Sequence, residues 1–148
     1  GKMFNIELPM NFNSPLKSRS MKELWQRWHM TLTRFFTQYV YIPLGGSRKG
    51  KTRTLINVFI VFMLSGLWHG ANWTFVVWGM LQGIMVIWDN LGIIGIKQED
   101  GKAVPKISIP GWLGWITTFA GFTFSFVFFR SESVAQAFQM FQNIGMLK

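Results

Sequence analysis

Cysteine is absent from the 148 residues, which excludes disulfides, thiolate catalysis and cysteine-ligated metals and leaves the redox compartment unmarked. Charge is scarce as well. Asp, Glu, Lys and Arg make up 14% of the chain, against roughly 25% in typical soluble proteins. Between Thr54 and Ile96 there is no Lys or Arg, and Asp89 is the only formal charge. Only two histidines occur, His29 and His69, forty residues apart with no carboxylate cluster near them, and these do not make a metal site. A Ser-His-Asp hydrolase fares no better. Ser65 lies four residues before His69, but LSGLW lacks the G-x-S-x-G nucleophile elbow. No basic segment followed by an apolar core and a small-residue cleavage site marks a signal peptide. With the mixed residues that follow Gly1, this gives the expectation of an internal piece of a longer protein. No internal repeat or low-complexity tract is visible.

What is present points to lipid. Aromatics reach 17%, with eight Trp, and mean hydropathy is positive at +0.23. The net charge of +9 is concentrated: residues 1–53 hold ten of the fifteen Lys and Arg and two acids, Glu7 and Glu23, so +8 sits there. Such a block suits nucleic acid or an anionic membrane surface. The aromatics in it follow a helix face and do not form a stacking platform beside a groove, so nucleic acid is not expected and the membrane is.

Along the chain, Pro9, Asn11, Asn13, Ser14 and Pro15 make 1–19 a loop. Ser20 and Glu23 read as a capping box. Leu24, Trp25, Trp28, Leu32, Phe35, Phe36 and Tyr39 then recur at spacings of three and four, predicting an amphipathic helix over 20–40, at or dipping into the membrane interface. His29 falls on the face of Trp25, Leu32 and Phe36. Ser47 to Arg53 places four cations in seven residues. It lacks the preceding strand of a P-loop and reads as a cytoplasmic loop held by headgroups.

Leu55–Trp68 and Trp73–Trp88 are apolar runs of 14 and 16 residues, each shorter than the ~20 needed to cross a bilayer. Together they predict a broken helical hairpin over 55–88, with His69, Gly70, Ala71 and Asn72 as a break inside the membrane. Backbone broken at that depth must be buried in protein or line a cavity. Asp89–Pro110 reads as a polar linker, 111–129 as a transmembrane helix and 133–145 as a short amphipathic helix capped by Ser133 and Gln136. The fold class expected is all-α and integral to the membrane, with about three membrane segments and an interfacial amphipathic helix.

Ionisable groups at membrane depth are costly and usually face a polar interior or a pathway. A neutral imidazole takes a proton from a hydroxyl near pH 7, which makes His69, and secondarily His29, candidates beside a plain packing role.

The motifs FNSP (Phe12–Pro15), W-x-R-W-H (Trp25–His29), YIPLGG (Tyr41–Gly46) and LWHGANW (Leu67–Trp73), with FFR (Phe128–Arg130), resemble the membrane-bound O-acyltransferases. The likeness is nearest to the bacterial branch that acetylates alginate and transfers D-alanine to teichoic acid, and it covers roughly residues 10 to 145. The resemblance implies part of a multi-helix bundle whose central funnel brings donor and acceptor together, in a multi-pass protein of the inner, cytoplasmic membrane. It implies transfer of an acyl group, acetyl by the branch likeness, from a thioester such as acetyl-CoA or an acyl-carrier protein on the cytoplasmic side. The acceptor is a hydroxyl of an extracellular polysaccharide, with a periplasmic or extracellular acyltransferase as a further partner and no tightly bound cofactor. The histidine of the WHG motif, His69, maps to the catalytic one, and His29 to a second functional position. In the resulting scheme Trp68, Asn72 and Trp73 shape the pocket, Asn72 orients the imidazole or the carbonyl oxygen, and Trp25 and Arg27 line the cytoplasmic entrance. The competing expectation is a non-catalytic transport or scaffold protein, since transporters also place polar sites at helix breaks.

Overall fold

The computed structural model describes residues 9–96 and 105–146, which contain six α-helices. Three of them are long and apolar enough to cross a membrane: α3 (Lys51–His69), α4 (Trp73–Leu91) and α5 (Gly111–Arg130). Helices α1 (Met21–Arg27), α2 (Met30–Phe36) and α6 (Val134–Met146) are shorter. Residues Ile94–Gly95 and Ile107–Ser108 form a two-residue parallel strand pair, β1 and β2, which closes the approach to α5. The Asp89–Pro110 linker is thus tied at both ends, and Lys97 and Lys102 lie outside the described residues.

The α3–α4 hairpin is built on small residues. A β-carbon on Gly66 would run into the Phe75 carbonyl oxygen, and one on Gly79 would lie 2.5 Å from that of Phe62. The two backbones approach this closely because neither glycine has a side chain, the small-residue packing common between helices in lipid.

Both hairpin helices are longer than their apolar runs. Lys51, Thr52 and Arg53 join the first turn of α3, and each helix has 19 residues. The break lies at the end of the hairpin. His69 is sixteen residues from Arg53, about 24 Å along the axis in a core of ~30 Å. Trp68 and Trp73 flank it, the residues that collect at a membrane boundary.

The amphipathic segment also departs from expectation. It is broken at Trp28–His29, where His29 takes a left-handed conformation, φ 45°. α1 descends beside α4: the Lys22 amide donates to Asp89 at 2.9 Å, and Trp25 reaches Gln82 and Trp78 farther in. α2 and a π-helical turn, Thr37–Tyr41, then return to α3, where Asn57 donates to the Leu44 and Gly46 carbonyls at 3.3 and 2.9 Å. A continuous helix would have carried the aromatic stripe past α4 and α5. Folding back at His29 buries Met21, Leu24 and Phe36, while Phe35 and Tyr39 stay exposed. The orphaned backbone at the tip is met by the preceding loop: Met30 N–H donates to the Asn11 carbonyl, Thr31 N–H to the Asn11 side chain, and Asn13 N–H to the Arg27 carbonyl. Phe12 packs edge-on against Trp28. The segment is a re-entrant hairpin with His29 at its tip.

Ser20 caps α1 by accepting from Glu23 N–H at 3.1 Å, while the Glu23 carboxylate takes the Arg19 N–H. Ser133 and Gln136 repeat the pattern before α6. One end of the bundle gathers the starts of α1, α3 and α5 with the end of α4. There Lys51 Nζ donates to the Leu91 carbonyl and Arg19 lies over Gly111. Lys17, Arg19, Lys22, Arg48, Lys49, Lys51 and Arg53 lie at or next to these starts. The opposite end holds the hairpin turn and Arg130.

Candidate active site

His69 closes α3 and its ring enters an aromatic box. Trp78 stands edge-on to it at 5.3 Å between centroids, Phe129 at 5.1 Å and Trp68 at 5.1 Å, with Phe75 tilted at 6.3 Å. Three separated segments supply these walls: the turn itself, the first two turns of α4, and the end of α5. Trp78 is 2% exposed, and its indole N–H is buried without a partner among the described residues.

His29 stands at the second backbone break, and His69 ends its helix at the first. Aromatic contacts join them: Phe12 lies against both His29 and Trp28, Trp28 packs on Phe126, and Phe126 on Trp78 and Phe129. His29 Nδ1 is buried and without a partner among the described residues. His69 thus sits in a largely aromatic box at one backbone break, and His29 stands at a second break, linked to that box through Phe12, Trp28 and Phe126.

A cavity of about 440 Å³ lies inside the re-entrant hairpin, between it and α3–α4. It runs from Ser47, Thr54 and Asn90 at the basic end to Phe62 and Ser65, one helical turn before His69. Trp25 is in its wall.

The remaining expected residues are placed as follows. Trp68 touches His69, but its indole is 59% exposed, and Trp73, at 74%, faces outward from this chain. Asn72 caps α4, accepting from Thr74 N–H at 3.2 Å, and donates to the Glu132 carbonyl at 2.8 Å. No hydrogen bond joins it to His69 among the described residues, so its observed work is to fasten the turn to the start of α6. Arg27 forms an ion pair with Glu23 at 2.8 Å. Trp25 donates through Nε1 to Gln82. Among the described residues no cluster of three or more His, Cys, Asp or Glu is placed to hold a metal.

Phe75, Trp78, Gln82, Ser125 and Phe129 were not singled out from the sequence for the site, although FFR was noted as a motif. The available signal was polar residues in the spanning runs, Gln82 in one and Ser125 in the other.

Fold and site together define a helical membrane protein with a histidine at each of two backbone breaks. The chain belongs to the membrane-bound O-acyltransferase family, whose profile matches residues 3–99. It is 38% identical over 146 residues to a peptidoglycan O-acetyltransferase of Helicobacter pylori, covering 97% of this chain and 26% of that protein. It is 36% identical over 143 residues to a probable alginate O-acetylase AlgI of Pseudomonas aeruginosa, covering 96% and 26%. A teichoic acid D-alanyltransferase of Streptococcus thermophilus is 33% identical over 86% of the chain and 34% of its own length. The chain therefore spans about a quarter of the length of the first two relatives.

Proposed function

We propose that the protein is an O-acyltransferase that moves an acetyl group from a thioester donor on the cytoplasmic side to hydroxyls of an extracellular polysaccharide, with His69 as general base. The observation that carries this reading is His69 at a helix break inside an aromatic box, one helical turn beyond Ser65 in the wall of a cavity whose lining extends to Ser47, Thr54 and Asn90 near the basic end. The positive-inside bias supports reading that end as cytoplasmic, the side on which a thioester or an acyl-carrier protein is available. His69, near the opposite end of the bundle, is then on the side proposed for the polysaccharide.

In the reaction, neutral His69 takes the proton of an acceptor hydroxyl as its oxygen attacks the acyl carbonyl. The C–S bond breaks, the ester forms, and the thiolate leaves with the proton returned through the imidazolium. The apolar walls keep water from competing for the acyl group. His29 is proposed as a second functional position, and a periplasmic or extracellular acyltransferase as a further partner.

Acetyl is the reading because the relatives include enzymes named for O-acetylation of peptidoglycan and alginate. The D-alanyltransferase relatives make D-alanyl the runner-up. The test is to supply the intact protein, in proteoliposomes, with a donor labelled at the acyl carbonyl and with candidate polymers on the opposite side. Labelled ester on a polymer hydroxyl is expected. Movement of polymer or donor without esterification would instead identify a transporter.

A further inference from the structure

Gln82 is completely buried in the middle of α4. A bare amide there is costly, and both of its ends are met. Its Oε1 accepts from Trp25 Nε1 at 3.1 Å, and its Nε2 donates to Ser125 Oγ at 2.6 Å, which in turn donates to the Phe122 carbonyl at 2.7 Å. One side chain thus joins the re-entrant hairpin, α4 and α5.

The partner it holds stands at a critical place. Trp25 is in the wall of the 440 Å³ cavity, whereas Trp78 and His69 are not. The Trp25 ring packs edge-on against Phe62 at 5.2 Å and Trp78 at 5.9 Å, and Trp78 packs against His69 at 5.3 Å. Trp25 and Trp78 together therefore separate the cavity from the imidazole. Packing alone leaves an indole free to slide in its own plane; a hydrogen bond to Nε1 fixes that direction. The same bond ties α1, one helical turn before His29, to the spanning helices.

We propose that Gln82 is a positioning residue for the transfer reaction: by holding the Trp25 indole it sets the partition between the donor cavity and His69. This rests on the functional reading above. Gln82 touches no reacting atom, so its loss acts through Trp25. The donor still enters the cavity, but its carbonyl meets an imidazole displaced from its working geometry.

The experiment is a double-mutant cycle in the intact protein, with kcat and donor KM expressed per folded molecule. Gln82→Leu, which keeps the volume and removes both hydrogen bonds, is expected to lower kcat about 10- to 100-fold, the scale of a misplacement near 1 Å. Donor KM is expected to change less than about threefold, since the other cavity walls remain. Trp25→Phe, which keeps a ring and removes the N–H, is expected to give a similar loss, and the double variant no more than the larger single loss. Ser125→Ala leaves the amide–indole bond in place and is expected to cost less than either. Losses that multiply, or a Gln82→Leu enzyme with wild-type kcat and only a lower melting temperature, would overturn the proposal. His69→Gln serves as the control. If it is inactive while Gln82→Leu is normal, only this inference fails; if it is active, the functional reading fails first and this inference with it.

Discussion

The Trp78 indole stands at 88° to the His69 imidazole, edge against face, with ring centroids 5.3 Å apart. Trp78 belongs to α4 and His69 to the last turn of α3, so the contact couples the geometry of the base to the packing of the hairpin. The indole N–H has no partner among the described residues, and burying such a donor costs about 1–3 kcal/mol. Trp78→Phe removes that cost while losing some contact area. Its stability in detergent is expected to stay within about 1 kcal/mol of the native protein, because these two effects offset. Trp78→Ala leaves a cavity and is expected to lose about 3–5 kcal/mol. Thermal unfolding of the two variants side by side checks this; a Phe variant as unstable as the Ala variant would refute it.

His29 has a backbone demand apart from any chemistry. Its left-handed conformation costs ordinary residues roughly 1–2 kcal/mol and suits Asn and Gly better. His29→Asn is expected to fold at native levels, so any loss of activity in it reports the imidazole. His29→Val adds β-branched strain at the same turn and is expected to lower the yield of folded protein. Equal yields would show that the re-entrant tip does not depend on this conformation.

Asn72 is expected to act through structure. Asn72→Ala loses the α4 cap and the bond to the Glu132 carbonyl, about 1 kcal/mol for each. Asn72→Asp keeps the cap, with a carboxylate favoured at a helix N-terminus, and loses only the donor. Melting temperatures should therefore fall in the order native, Asp, Ala. An Ala variant with native stability and greatly reduced kcat would instead place Asn72 against substrate.

The sequence carried the element types and both histidines because these have local signals: apolar runs, three- and four-residue spacings, capping pairs and the WHG string. The break at His29 left no such trace. The spacing of Trp25, Trp28, Leu32 and Phe36 is the same in a straight helix and in one that folds back, and only contacts with Asn11, Asn13 and α4 decide between them. The full helix lengths escape the sequence for a related reason. Apolar runs of 14 and 16 residues undercount helices that continue into Lys51–Thr54 and beyond Trp88. The aromatic box draws on residues 68–78 and 129, so no window along the chain contains it. Gln82 was visible as a lone amide in a spanning run, but its role depends on Trp25, 57 positions away.

The most direct test of the account is ester formation by the intact protein carrying His69→Gln, at expression and melting temperature matched to the native protein. General-base catalysis of this kind is worth about 10²- to 10⁴-fold, so a loss of at least about 100-fold is expected. The native rate is expected to fall on acidification, because only the neutral imidazole accepts the hydroxyl proton. Transfer by His69→Gln within a few-fold of native would contradict the assignment of His69 as the base.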